Sequence, residues 1–376
     1  MTTIDLVYFN AGGGHRAAAQ ALEAVIREQR RPWQVRCVDL VTMVDPAARF
    51  RRFTGLAPED LYNKPLARGW TLGMGPQLRA LQGLVRLGHA PLVQRLQRHW
   101  QRAPADMVVS LLPNFNRAIA GALARALPGA PFVTVLTDLA DHPPHFWIEP
   151  EVAQHVVCGT ERAVEQALAL GCERQRIHRV SGMVIRPDFY PPLAADREVE
   201  RARLGLRPDR RTAVVMFGGQ GSAEMLEIDA ALDDVQLVLM CGHNRALAAE
   251  LAQRAHARDG RAPRAVVGFT AEVRRHLQLG DLFIGKPGPG CLSEAVQQGL
   301  PIVTVRNART MPQERYNTDW VREHGLGVVV RRWAEVKPAV HEVLGRLDHY
   351  RAAVARVDNR AVFEVPAVLE QVLRRR

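Results

Sequence analysis

Three times in this chain a short apolar run ends in glycines and passes straight into a segment of helical spacing. The three turns are "AGGGHR" (11 to 16), "FGGQGS" (217 to 222) and "KPGPGCLSEA" (286 to 295). Glycine lets the backbone leave a strand and start a helix without Cβ strain, and the new helix aims free N–H groups and the positive end of its dipole outward. A single such turn has an ordinary backbone explanation. Three of them predict parallel α/β sheets whose strand ends share a ligand side suited to phosphate. Neither G-x-x-x-x-G-K-[ST] nor G-x-G-x-x-G occurs, which removes support for a P-loop NTPase and for ordinary dinucleotide binding.

Around these turns strand and helix patterns alternate. "IDLVYFN", "WQVRCVDL", "DMVVSLLP" and "PFVTVLTDL" are strand candidates of a first half, and "HRAAAQALEAVIREQR" and "FNRAIAGALARAL" have helical spacing. A proline cluster and a charged run mark a linker near 186 to 200. Beyond it, "TAVVMFGGQGS", "VQLVLMCG", "RAVVGF", "DLFIGKPGPG", "LPIVTV" and "GLGVVV" begin a second series. At 376 residues the chain exceeds one ordinary core. It reads as two doubly wound α/β domains, 1–190 and 191–376, facing across a cleft, with the final helix a candidate to cross back to the first half.

The alternation lapses between 50 and 102. Leu78, Leu81, Val85, Leu92, Leu96 and Trp100 follow helical spacing there, Arg79, Arg86, Arg95, Arg98 and Arg102 supply a basic complement, and the only acids are Glu59 and Asp60. Two readings stand side by side. The stretch either lies on anionic lipid, with Trp70, Arg79 and Arg86 toward the membrane, or forms a helical cover for the sheet with a solvated arginine face. A net charge of +11 fits polyanionic partners in general. Aromatic residues at 6% and the absence of a nucleic-acid-binding signature weigh against nucleic acid.

No segment approaches the ~20 apolar residues of a membrane span, and the N-terminus lacks a signal-peptide pattern. A cytoplasmic protein is expected, peripherally associated with the inner face of the cell membrane. Five dispersed cysteines without C-x-x-C, and His142 and His145 without a third partner, give no metal site. His15, at the start of a helix, packs, hydrogen-bonds or acts as a base. Its position against the helix dipole disfavours the cation. Asp138, closing "TVLTD", is a candidate to orient His15, to bind the acceptor or to cap the next segment. Glu294, early in the helix that "PGPG" opens, suits the two hydroxyls of a ribose or is a plain helix-dipole acid.

The blocks "GGGHRAAAQAL", "TDL", "FGGQGS", "VVGFT" and "GKPGPGCLSEAVQQGLPIV…MPQERYN…VREHGLGV" resemble glycosyltransferase family 28. They are similar to the branch with the plant and bacterial monogalactosyl- and glucosyl-diacylglycerol synthases, and more distantly to the lipid-linked GlcNAc transferase of peptidoglycan synthesis. The resemblance implies the GT-B arrangement of two Rossmann-like domains. It also implies a UDP-sugar co-substrate bound mainly by the C-terminal half, a membrane lipid acceptor such as diacylglycerol, and inverting hexosyl transfer without a metal or other cofactor. Under it His15 is the general base and Asp138 its neighbour. Glu294 holds the ribose and Phe269 meets the uracil. Gly219, Gln220, Gly221, Ser222, Gly288 and Gly290 cradle the diphosphate, with Gly14 added to the donor set. Gln313 and Asn317 reach toward the sugar and phosphates. Apart from the resemblance, "DHPPHFW" (141 to 147) reads as an acceptor-side loop with Trp147 contacting lipid. No D-x-D occurs, in keeping with metal-free departure of UDP. A transferase with a different acceptor, a nucleotide-sugar epimerase and a nucleic-acid-binding module are the competing readings.

Overall fold

In the computed structural model the described residues are 1–10, 13–45, 82–83, 85, 87–191, 196–256 and 260–375. They divide into two units, one holding residues up to Pro187 with the segment from Asn359 onward, the other Asp188–Asp358. The break between Pro187 and Asp188 falls inside the proline-bearing stretch. The chain's last residues belong to the first unit rather than to the C-terminal half.

The first unit is built on six parallel strands: β1 (Thr2–Tyr8), β2 (Trp33–Asp39), β3 (Met107–Ser110), β4 (Phe132–Val135), β5 (His155–Cys158) and β6 (Ile177–Arg179). Their order is β2-β1-β3-β4-β5-β6. β3 and β4 are buried at every residue, as strands covered by helices on both faces must be. The order reverses between β1 and β3, the kind of switch point where parallel sheets open a ligand crevice at their carboxyl ends. β1 leads into the glycine turn and the helix Gly14–Glu28.

The second unit repeats the plan with β7 (Thr212–Met216), β8 (Gln236–Gly242), β9 (Arg264–Gly268), β10 (Leu282–Gly285), β11 (Ile302–Val305) and β12 (Gly327–Val330). All pairings are parallel, in the order β12-β11-β10-β7-β8-β9. Here the switch lies between β7 and β10. The loops leaving those two neighbouring strands are "FGGQGS" and "KPGPG", so two glycine turns separated by more than sixty residues of sequence become neighbours.

The C-terminal helix Ala361–Arg374 buries Val362, Val365, Leu369 and Val372 and packs on Gly14–Glu28. Polar ties fix its angle. Arg31 pairs with Glu370 at 2.7 Å, and Glu364 Oε2 accepts from Ser181 N at 2.7 Å and from Ser181 Oγ at 2.9 Å.

Within the basic stretch, the helix His89–Arg102 turns Val93, Leu96 and Trp100 into the core of the first unit and leaves Arg95, Arg98 and Arg102 exposed. Burying such side chains contributes about 1.5–3 kcal/mol each. The Trp100 indole donates to Asp5 Oδ2 at 3.0 Å, and Arg36 grips the same fully buried carboxylate with two nitrogens. For this helix the covering reading is the correct one: its apolar face is occupied by the sheet and is not free for lipid. Trp70, Arg79 and Arg86 lie outside the described residues.

Candidate active site

His15 is the second residue of its helix, delivered by Gly13 in the left-handed conformation at φ 82°. Its Nδ1 lies 3.0 Å from Thr137 Oγ1, at the exit of β4, and its ring meets Trp147 edge-on at 5.8 Å between centroids. Burial is the main cause that lowers the His15 pKa to about 4, with a backbone hydrogen bond to Leu111 acting weakly in the opposite sense. The imidazole is therefore neutral throughout the physiological range and holds a lone pair for a proton. Leu111, Thr137 and His15 come from the exits of β3, β4 and β1, which is how a parallel sheet gathers distant residues at one end.

Asp138 is buried, and its Oδ2 accepts from the Trp147 indole at 2.9 Å. It serves the wall beside His15, whereas the hydroxyl facing the imidazole is that of Thr137, one residue earlier. Trp147 needs a correction. It is fully buried, so it lines His15 and holds Asp138 and presents no surface to lipid. The loop that carries it is pinned by Asp141, whose Oδ1 accepts from Phe146 N at 3.0 Å and from Trp147 N at 2.7 Å. Burial raises the Asp141 pKa to about 6 against those hydrogen bonds.

In the second unit the loop after β7 is shaped by close backbone approach. Gly218 and Gly221 have φ of 75° and 62°, and His243 N donates to Gly219 O at 2.8 Å. Gly242 packs so tightly on Gly219 that a Cβ there would come within 2.2 Å of its carbonyl oxygen. Gly219 and Gln220 are exposed and Ser222 is half-buried, its Oγ accepting from Glu224 N at 3.3 Å. Phe269 projects at 64% exposure and stacks on His243, with ring centroids 3.9 Å apart. An exposed aromatic face thus lies next to the glycine loop, joined to it through His243. An apolar ring left in water is a ready platform for a flat base.

Gly288 caps the helix Pro289–Gln297, which contains Gly290 in its first turn and the half-buried Glu294 further along. Between the two loops lies Lys286. A Cβ on Gly218 would sit 3.8 Å from its Cε and one on Gly288 3.2 Å, while its Nζ pairs with the buried Glu314 at 2.9 Å. Lys286, Glu314, His243 and Thr137 were not singled out from the sequence. Lys286 carries the clearest signal in hindsight, as the cation that opens the glycine loop after β10. Asn317 needs a second correction. It is fully buried and donates to Pro287 O at 2.7 Å, so it braces the loop and does not reach a ligand. Gln313 is also buried, in the turn Pro312–Glu314. Gly14 and His15 belong to the first unit, and the remaining donor candidates to the second.

No family model matches the chain. A probable monogalactosyldiacylglycerol synthase of Glycine max is 26% identical over 389 residues, covering 98% of this chain and 71% of that protein. The monogalactosyldiacylglycerol synthase of Spinacia oleracea is 26% identical over 89% of this chain and 65% of its own length. The chain thus spans about two thirds of these relatives. Among solved structures, MurG of Acinetobacter baumannii superposes with a TM-score of 0.59 at 13% identity, covering 98% of this chain and 99% of that one. The glycosyltransferase VinC in complex with dTDP reaches 0.61 at 14% identity over both whole chains. Anabaena HepE in complex with UDP-glucose reaches 0.55 at 14% identity, over 99% and 100%. Two parallel six-stranded units of this topology are the fold these enzymes share. The chain is similar over most of its length to monogalactosyldiacylglycerol synthases and has the two-domain α/β GT-B fold of the glycosyltransferases it superposes on.

Proposed function

We propose that this protein moves a hexose from a UDP-sugar to the hydroxyl of a membrane lipid, with diacylglycerol the foremost candidate, and inverts the anomeric centre. The observation that carries the proposal is a histidine at the exit of β1 that burial keeps neutral. In the tautomer whose Nδ1–H donates to Thr137 Oγ1, Nε2 takes the acceptor hydroxyl's proton as that oxygen attacks the anomeric carbon. The bond from that carbon to the diphosphate oxygen breaks, and UDP leaves with the electron pair. The second unit binds the donor. Phe269 meets the base, Glu294 the ribose hydroxyls, and the loops at Gly219 to Ser222 and at Gly288 to Gly290 the diphosphate. Backbone N–H groups and the Lys286 ammonium take up the charge that develops on UDP.

Related structures support a nucleotide-diphosphate donor, since HepE holds UDP-glucose and VinC dTDP. The named synthases support the lipid acceptor. No helix among the described residues is long and apolar enough to cross a membrane, and the exposed Arg95, Arg98 and Arg102 form a basic face. That basic face supports a place for the enzyme on the anionic inner face of the cell membrane. The test is the anomeric configuration of the product, read by proton NMR after incubation with UDP-α-galactose or UDP-α-glucose and diacylglycerol vesicles. A β-glycolipid is the expected product, and an α-glycolipid contradicts inversion.

A further inference from the structure

At the strand-start end of the second sheet, opposite the glycine loops, arginines converge on too few carboxylates. Asp281, one residue before β10 and almost fully buried, pairs with Arg197 at 3.0 Å, Arg201 at 2.9 Å, Arg211 at 3.5 Å and Arg351 at 3.0 Å. Arg197, Arg211 and Arg351 crowd onto the same oxygen, Oδ1. Nearby, Glu200 is shared by Arg203 and Arg275, and Arg275 also pairs with Glu272. Among the described residues, six guanidinium groups are served here by three carboxylates.

Beside this cluster lies a cavity of about 360 Å³. Arg197, Arg275, Arg351, Glu200, Gln278 and Gln298 line it, and its size is that of a small-ligand site, ~300–1,000 Å³. One of these lining residues, Arg197, buries its Nε without a hydrogen-bond partner. A buried donor is ordinarily satisfied, and the Nε–H edge of a guanidinium is the side that grips an oxyanion with two parallel hydrogen bonds. Excess positive charge and a cavity of ligand size therefore coincide, and one of the lining arginines carries an unmet donor.

We propose that this cavity binds a phosphomonoester dianion, held by Arg197, Arg275 and Arg351. A dianion offsets more of the surplus charge than a carboxylate does, and its oxygens match several forks at once. The three arginines stand on three helices, Arg197–Arg203, Val273–Leu277 and Leu347–Val354, so an occupant ties them together and stabilises the unit by mass action. The site lies at the opposite end of the strands from the donor loops and does not depend on the UDP-sugar reading.

The full-length protein is titrated calorimetrically with inorganic phosphate and with glycerol 3-phosphate, and floated with phosphatidylcholine vesicles with and without phosphatidate. Saturable binding is expected, weakened about tenfold or more by Arg351→Gln or Arg197→Gln and less by Arg351→Lys, with UDP affinity unchanged in all variants. Variant-sensitive binding of the soluble phosphates identifies a free phosphomonoester as the ligand class, and variant-sensitive binding confined to phosphatidate vesicles identifies a lipid headgroup. The proposal is overturned if none of these probes binds, or if all of them bind wild type and Arg351→Lys, Arg351→Gln and Arg197→Gln variants equally. Arg351→Lys keeps the charge at a partly exposed position and serves as the variant least at risk of misfolding.

Discussion

His15 Nδ1 and Thr137 Oγ1 lie 3.0 Å apart, although 122 residues separate them in sequence. The contact exists because β1 and β4 end at the same edge of one parallel sheet. It fixes the imidazole's orientation while burial fixes its charge.

The pH dependence follows from that burial. A histidine whose pKa is lowered to about 4 stays neutral as pH falls through 6.5, so kcat/KM is expected to be level between about pH 5.5 and 8 with its acid limb near 4. The linkage has the matching sign. With the folded pKa below the unfolded value, His15 withdraws stability as pH drops below 6.5 toward 4. A kcat/KM profile with an acid limb at 6.5 would mean that the base is solvated in the working enzyme. Thr137→Val is expected to lower kcat more than it raises KM.

Lys286 gives a prediction about the diphosphate. Lys286→Met is expected to weaken UDP binding about tenfold or more and to leave uridine binding unchanged, because the ammonium has no counterpart in the base. Glu314→Gln frees the ammonium from its partner and is expected to hold or raise UDP affinity. Calorimetric titration of the variants with UDP and uridine checks both. Equal losses for UDP and uridine would place the lysine's effect in folding.

Gly242 sits at φ 58° against the Gly219 carbonyl, so Gly242→Ala meets both a left-handed backbone and a steric clash. A loss of about 1–3 kcal/mol in stability is expected by chemical denaturation, together with weaker UDP binding as the Gly219 loop shifts. Gly205→Ala, at a left-handed turn with open space around it, is expected to cost less.

The first unit depends on Asp5, which is fully buried and shared by Arg36 and Trp100. Asp5→Ala leaves Arg36 without its partner and the indole N–H unmet. A loss of about 3–5 kcal/mol is expected, read as a lowered denaturation midpoint. Replacing Arg95, Arg98 and Arg102 together by Gln is expected to leave that midpoint in place and to weaken partition onto anionic vesicles. About 1 kcal/mol per residue is the scale for charges at such a surface.

The two-sheet plan was legible because ten of the twelve strands lie in short apolar or alternating runs bounded by turn residues. β5 and β6 were not named, since four and three residues in a mixed stretch give no period to read. The glycine loops were legible as strand-to-helix turns, but the bracing around them was hidden. The donation from Asn317 to Pro287 O and the reach of Lys286 across two loops depend on β7 and β10 being neighbours, a pairing no local pattern encodes. Trp147 was misread because an aromatic in a proline-rich loop looks exposed until Asp141 is seen folding that loop inward. Thr137 was within a quoted motif, yet its neighbour Asp138 drew attention as the charged residue.

The most direct test of the central claim is UDP release from UDP-galactose and UDP-glucose by wild type and His15→Ala, with and without diacylglycerol in anionic vesicles. The account predicts release that requires the lipid, falls about 10²–10⁴-fold in the variant, and does so with donor affinity retained. Lipid-dependent release at the wild-type rate by His15→Ala would contradict it.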